Sequence, residues 1–116
     1  MKRQFKTTPT HQIRAVQFEK AVENLLNCLN LSWMRVSIYR CPRCGLIFNA
    51  PAKGWPDFFI YHPFLLAIEC KTGGGRISAV QHEVIYKLND SGIPTIIARN
   101  NIDSIVDYFK ELGYKI

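Results

Sequence analysis

The sequence predicts an α/β fold of one domain: a central mixed sheet flanked by helices in the order α-β-β-β-α-β-α. Three observations lead there. The chain has 116 residues, 47% of them hydrophobic, enough for one core and too few for two. Stretches of helical period alternate with short apolar runs of strand length. Those runs are apolar on both faces, which implies helices packed on both sides of the sheet.

Residues 1–10 are polar and basic, with Pro9 near their end, and read as a flexible arm. Residues 11–116 read as the folded domain. Over 11–30, Phe18, Val22, Leu25, Leu26 and Leu29 recur at about 100° per residue, the mark of an amphipathic helix, and Thr10 is a candidate N-cap. Residues 33–40 alternate as a strand, with Met34, Val36 and Ile38 on one side. Residues 41–56 hold Cys41, Cys44, three prolines and two glycines, a loop composition. Two strands follow, 57–61 and 65–71, turned by His62-Pro63-Phe64. After a Gly-rich loop at 72–76, a helix over 78–89 exits at Gly92. A strand over 94–99 and a helix over 102–112 complete the chain.

Glu69 and Lys71 are two apart in a strand and share a face. If residues 62–64 form a three-residue turn, Phe59 pairs with Ala67 and Asp57 lies opposite Glu69. Cβ atoms so opposed stand roughly 4.5–5.5 Å apart. Two carboxylates that close repel unless a cation sits between them, and hard divalent ions take carboxylate oxygens together with water and phosphate. Lys71 is one pleat further along, placed to offset charge on a phosphate. A two-residue turn would put Asp57 on the wrong face. The competing reading of the cluster is a surface ion-pair network.

The net charge of +6 favours a polyanionic partner, although a solvated basic surface has the same composition. No run approaches a membrane span and no apolar leader follows the first residues, so a cytoplasmic protein is the expectation, in a host cytoplasm if the source is a phage or mobile element. In that setting Cys28, Cys41, Cys44 and Cys70 are thiols or metal ligands rather than disulfides. Cys41-Pro42-Arg43-Cys44 is half of a zinc knuckle; a structural zinc needs four ligands and no second Cys-x-x-Cys exists in the chain.

Three motifs in order, Gly54-Trp55-Pro56-Asp57, Ile68-Glu69-Cys70-Lys71-Thr72 and Gly75-Arg76-Ile77-Ser78-Ala79-Val80-Gln81, resemble the PD-(D/E)XK nuclease superfamily. Within it the chain most resembles the VRR-NUC family, whose members commonly read Gly-x-Pro-Asp, Glu-x-Lys and Gly-Arg-x-Ser-x-x-Gln, and it is similar to archaeal Holliday-junction resolvases. The match spans roughly residues 15–112. It implies a restriction-endonuclease-like core and Mg²⁺-dependent hydrolysis of DNA phosphodiesters, with Mn²⁺ as a substitute ion. Asp57 and Glu69 would be metal ligands, Lys71 the catalytic lysine, and a glutamate of the first helix a further ligand. Glu19 is the candidate, at the edge of the apolar face, with Glu23 the runner-up turned further toward solvent. Gln81 matches the family glutamine, and Ser78-x-x-Gln81 is equally a capping box. Lys53, Arg76, Gly74 and Gly75 are the expected DNA contacts, and the Cys-x-x-Cys loop departs from the plain family pattern.

The resemblance also points to a homodimer acting on branched DNA, since two centres are needed to cut two strands symmetrically. Phe5, Trp33, Tyr39, Phe48 and Trp55 are more aromatics than one small core accommodates in those segments, and some are candidates for an interface. A monomeric flap or nicking nuclease, a non-catalytic nucleic-acid-binding module and a zinc-ribbon-like interaction protein are the other readings.

Overall fold

The computed structural model describes residues 10–36, 39–40, 43–45, 47–48 and 54–116. Helix α1 runs from Thr10 to Cys28 and buries Phe18, Val22, Leu25 and Leu26, the face its periodicity predicts. Thr10 is itself helical rather than the residue before the helix. The helix ends where Asn30 takes a left-handed conformation, φ 59°, and the Leu31 amide returns to the Leu26 carbonyl at 3.1 Å. Asn tolerates that conformation because its side chain bonds locally, and the pattern satisfies the last helical carbonyls.

Strands β1 (Ser32–Arg35), β4 (Phe58–His62), β5 (Leu66–Lys71) and β6 (Thr95–Arg99) form one sheet in the order β1-β4-β5-β6. The first three are antiparallel neighbours and β6 runs parallel to β5, so the sheet is mixed. The expected strand over 33–40 is not continuous. It stops at Arg35, and Tyr39–Arg40 (β2), the end of the expected strand, pairs instead with Ile47–Phe48 (β3), inside the stretch expected to be loop, in a separate two-stranded unit. Its phase also differs. Trp33 and Arg35 lie opposite Ile60 and Phe58, two core residues, while Met34 is 49% exposed and Val36, beyond the strand, is 8% exposed. Residues 33 and 34 are both apolar, so alternation alone fits either phase; pairing with β4 decides it. Trp33 is thereby accounted for within the fold: its ring meets Phe58 edge-on at 5.6 Å and its indole N–H donates to Asn27 Oδ1 at 2.9 Å.

The β4–β5 hairpin has the expected register, with Phe58 opposite Ile68, Phe59 opposite Ala67 and Ile60 opposite Leu66. Its turn contains a cis His62–Pro63 peptide. One sheet face carries Phe58, Ile60, Leu66, Ile68 and Ala98, which form the core with α1 and with Ile105 and Phe109 of α3 (Asp103–Glu111). Helix α2 (Ala79–Asp90) lies over the other face, where its Gln81 reaches Glu69. Helices therefore cover both sides of the sheet, as the two-faced apolarity of its strands predicts. Among the described residues no helix is long and apolar enough to cross a membrane.

Candidate active site

The site lies where the open end of the β4–β5 hairpin meets the start of α2. Pro56 is fully buried and precedes Asp57, whose backbone carbonyl accepts from the Val36 amide at 2.8 Å. Asp57 sits one residue before β4, and continuing the observed register sets it opposite Glu69. Its Oδ2 accepts the Cys70 amide at 2.8 Å, so the carboxylate is pinned across the hairpin.

Glu69 is 3% exposed, the one buried charged residue among those described. Its Oε2 accepts from Gln81 Nε2 at 3.0 Å and lies 3.3 Å from Lys71 Nζ. Lys71 also donates to Gln81 Oε1 at 3.1 Å. Gln81 meanwhile completes a capping box: its Oε1 accepts the Ser78 amide at 2.9 Å while Ser78 Oγ accepts the Gln81 amide at 3.1 Å. Gln81 thus completes the capping box and also bonds Glu69 and Lys71. The cap fixes the side chain at the start of α2, and the fixed amide then orders both Glu69 and Lys71.

The electrostatics are those of a crowded anionic site. Burial, reinforced by the charge of Asp57, pushes the Glu69 carboxyl up to about 7 despite Lys71 and Gln81. Burial also raises the Asp57 carboxyl, opposed by the Cys70 amide, raised further by Glu19 and lowered by Arg35 and Lys71. Burial holds the Cys70 thiol above its ordinary range, so it is no candidate nucleophile. Two neighbouring carboxylates that each resist ionisation are a donor set a divalent cation would relieve, so Asp57 and Glu69 fit a metal. Glu19 is not gathered in with them, and among the described residues no three His, Cys, Asp or Glu side chains form a ligating group. Instead Arg35 holds Glu19 in an ion pair and Glu23 in a second, at 3.3 Å. The expected contrast in exposure between these glutamates is also absent: their side chains are 27% and 24% exposed, because Arg35 reaches over both. Glu19 contributes to the charge felt by Asp57.

The Gly-rich loop is tied down rather than a loose linker. The Gly73 amide donates to Asn100 Oδ1 at 2.7 Å, the Gly75 amide to the Thr72 carbonyl at 3.1 Å, and Arg99 Nη1 to the Gly75 carbonyl at 2.7 Å. Gly74 and Arg76 are exposed and Gly75 is half-buried. Lys53 and Cys41, like Phe5, fall outside the described residues. Cys28 and Cys44 are exposed free thiols.

Gly54 explains the first motif. Its φ is +85°, and a Cβ there would stand 2.6 Å from Val80 Cγ1 and 3.0 Å from the Val80 backbone carbon. The bare backbone lets α2 close on the segment carrying Asp57. Gly54→Ala is expected to cost about 2 kcal/mol in urea unfolding, and Val80→Ala to restore little of it because the clash with backbone remains. A neutral Gly54→Ala would show that this approach is not tight.

Arg35, Arg99 and Asn100 are site neighbours that sequence reading passes over. Asn100, at φ +66°, is the one with a local signal, an Asn-Asn pair directly after an apolar strand. Comparison with models of known protein families, with curated proteins and with solved structures gives no match.

Proposed function

We propose that the chain is a divalent-metal-dependent DNA endonuclease with a restriction-endonuclease-like core, of the PD-(D/E)XK kind and nearest in motif pattern to the VRR-NUC family. The observation that carries this reading is the pairing of Asp57 with the buried Glu69, both reluctant to ionise, with Lys71 Nζ 3.3 Å from Glu69. An ordinary surface ion-pair network would not bury one carboxylate and then crowd it with a second.

Asp57 and Glu69 would hold the ion. When bound, Mg²⁺ supplies the positive charge that acidifies water and stabilises the leaving oxygen. Lys71 has three donors, of which one goes to Gln81 and one faces Glu69, leaving a third for a phosphate oxygen. Gln81 holds that ammonium and the Glu69 carboxylate in one orientation, so neither must be ordered when substrate arrives. The net charge of +6, with Arg76 exposed beside the Gly-rich loop, supplies the attraction to DNA.

The substrate we assign is branched DNA, four-way junctions above all, cut by a homodimer that brings two centres to two strands. Incubating the protein with duplex, nicked, flap and four-way-junction DNA, with Mg²⁺ or Mn²⁺ and with EDTA, tests both levels. Junction cleavage by a dimer in light scattering is the expected result. A monomer that cuts all substrates alike removes the junction assignment, and binding without cleavage in any divalent ion turns the protein into a nucleic-acid-binding module.

A further inference from the structure

Glu19 and Glu23 stand one helical turn apart on α1, so their carboxylates overlie the same patch. Arg35, the last residue of β1, reaches both, one guanidinium nitrogen on each. Arg35 lies opposite Phe58 in the β1–β4 register, and its guanidinium sits 5.2 Å from the centre of the Phe58 ring. Phe58 follows Asp57, and the charge of Arg35 acts on Asp57 in opposition to that of Glu19. One cation is thus shared by two carboxylates, backed by an aromatic face and felt by a third carboxylate. Burial works against that charge, but Glu19, with Asp57 and Glu23, more than restores it. A single exposed pair is worth little; here one guanidinium fork grips two anions.

We propose that Arg35 is a resident counter-ion, which a divalent metal must displace from Glu19 to complete its ligand set, and which thereby sets the affinity of the site for metal. The inference rests on the metal site assigned above and adds to it a residue that is not a ligand. Arg35 is a positioning residue: it keeps Glu19 and Glu23 from repelling each other in the metal-free protein. Once displaced, its planar fork is free for a phosphodiester oxygen.

Calorimetric titration of Mn²⁺ into wild-type protein, Arg35→Met, Arg35→Lys and Glu69→Gln tests this without reference to cleavage. Met retains an apolar stem over Phe58 and removes the charge. Arg35→Met is expected to bind Mn²⁺ about tenfold more tightly, the scale set by removing one unit charge from a partly exposed site. Arg35→Lys, which keeps the charge and loses the two-pronged grip, is expected to bind about threefold more tightly, and it carries the test if the Met variant does not fold. Glu69→Gln is expected to lose binding. If wild-type binding is abolished by Glu69→Gln while neither Arg35 variant binds more tightly, the role of Arg35 is overturned and the metal site stands. If no binding depends on Glu69, both fall together.

Discussion

Asp57→Asn and Glu69→Gln are each expected to lower Mg²⁺-dependent cleavage by roughly 10³-fold or more, while DNA binding in EDTA is retained or tightened. Both changes remove charge with little change of shape. An Asn at 57 can still accept the Cys70 amide that Asp57 Oδ2 now accepts at 2.8 Å. A Gln at 69 still offers an oxygen to Gln81 and Lys71, which now stand 3.0 and 3.3 Å from Glu69 Oε2. The fold is thus expected to be preserved, while the charge that would hold a divalent ion in the proposed site is removed. Binding survives because it draws on the basic surface, and it tightens if two anionic groups near the phosphate were resisting it. Gel-shift and cleavage assays on the same junction separate the two properties. Wild-type cleavage by either variant would remove the pair from the chemistry, and a parallel loss of binding and cleavage would mean that the carboxylates organise structure instead.

The parts of this site that were legible in the sequence are those governed by local parity. Asp57 and Glu69 can be set opposite each other because a three-residue turn and a period of two leave one register, and the observed pairing of Phe59 with Ala67 is that register. The face of α1 was legible for a similar reason, as was the capping box at Ser78 and Gln81. What was not legible depends on which strand pairs with which. The phase of β1 is set by its neighbour β4: with Trp33 opposite Ile60, Arg35 is carried to the α1 side and Met34 to the other. Periodicity cannot choose between adjacent apolar residues, so nothing in the sequence marks Arg35, and a helical wheel ranks Glu19 and Glu23 without it. The same limit hid the β2–β3 pair, whose two-residue strands are too short to show alternation. Gln81 is a different case: the capping box is present as read, and the same side chain also bonds Glu69 and Lys71.

Stability of the metal-free protein is expected to fall with rising pH through the titration of Glu69, and Glu69→Gln to abolish that dependence. The Glu69 carboxyl stands at about 7 in the fold against 4.5 for an ordinary glutamate, with burial the chief cause and Asp57 the second. Below the lower value the group is neutral in both folded and unfolded chains and makes no difference. Between the two values the unfolded chain releases the proton while the folded chain keeps it, so each rise in pH favours unfolding. Above about 7 the loss levels off at roughly 3 kcal/mol. The groups facing Glu69 set this balance: Asp57 from just before β4, Lys71 from its own strand and Gln81 from α2, of which only Asp57 raises the carboxyl. Asp57 is itself raised, so its own contribution has the same sign. Urea unfolding in EDTA, run at several pH values on wild type and Glu69→Gln, reads the effect as a difference in which the other titrating groups largely cancel. The variant should match wild type near pH 4.5 and exceed it by roughly 3 kcal/mol at pH 8. On the proposed reading, adding Mg²⁺ at pH 8 should then stabilise wild type and leave the variant unmoved, because only the wild-type site would hold the ion. A difference that stays constant across pH would mean that Glu69 is not forced toward its neutral form. The fold would then have no stored repulsion for a cation to relieve, and the strongest physical argument for a metal between Asp57 and Glu69 would be gone.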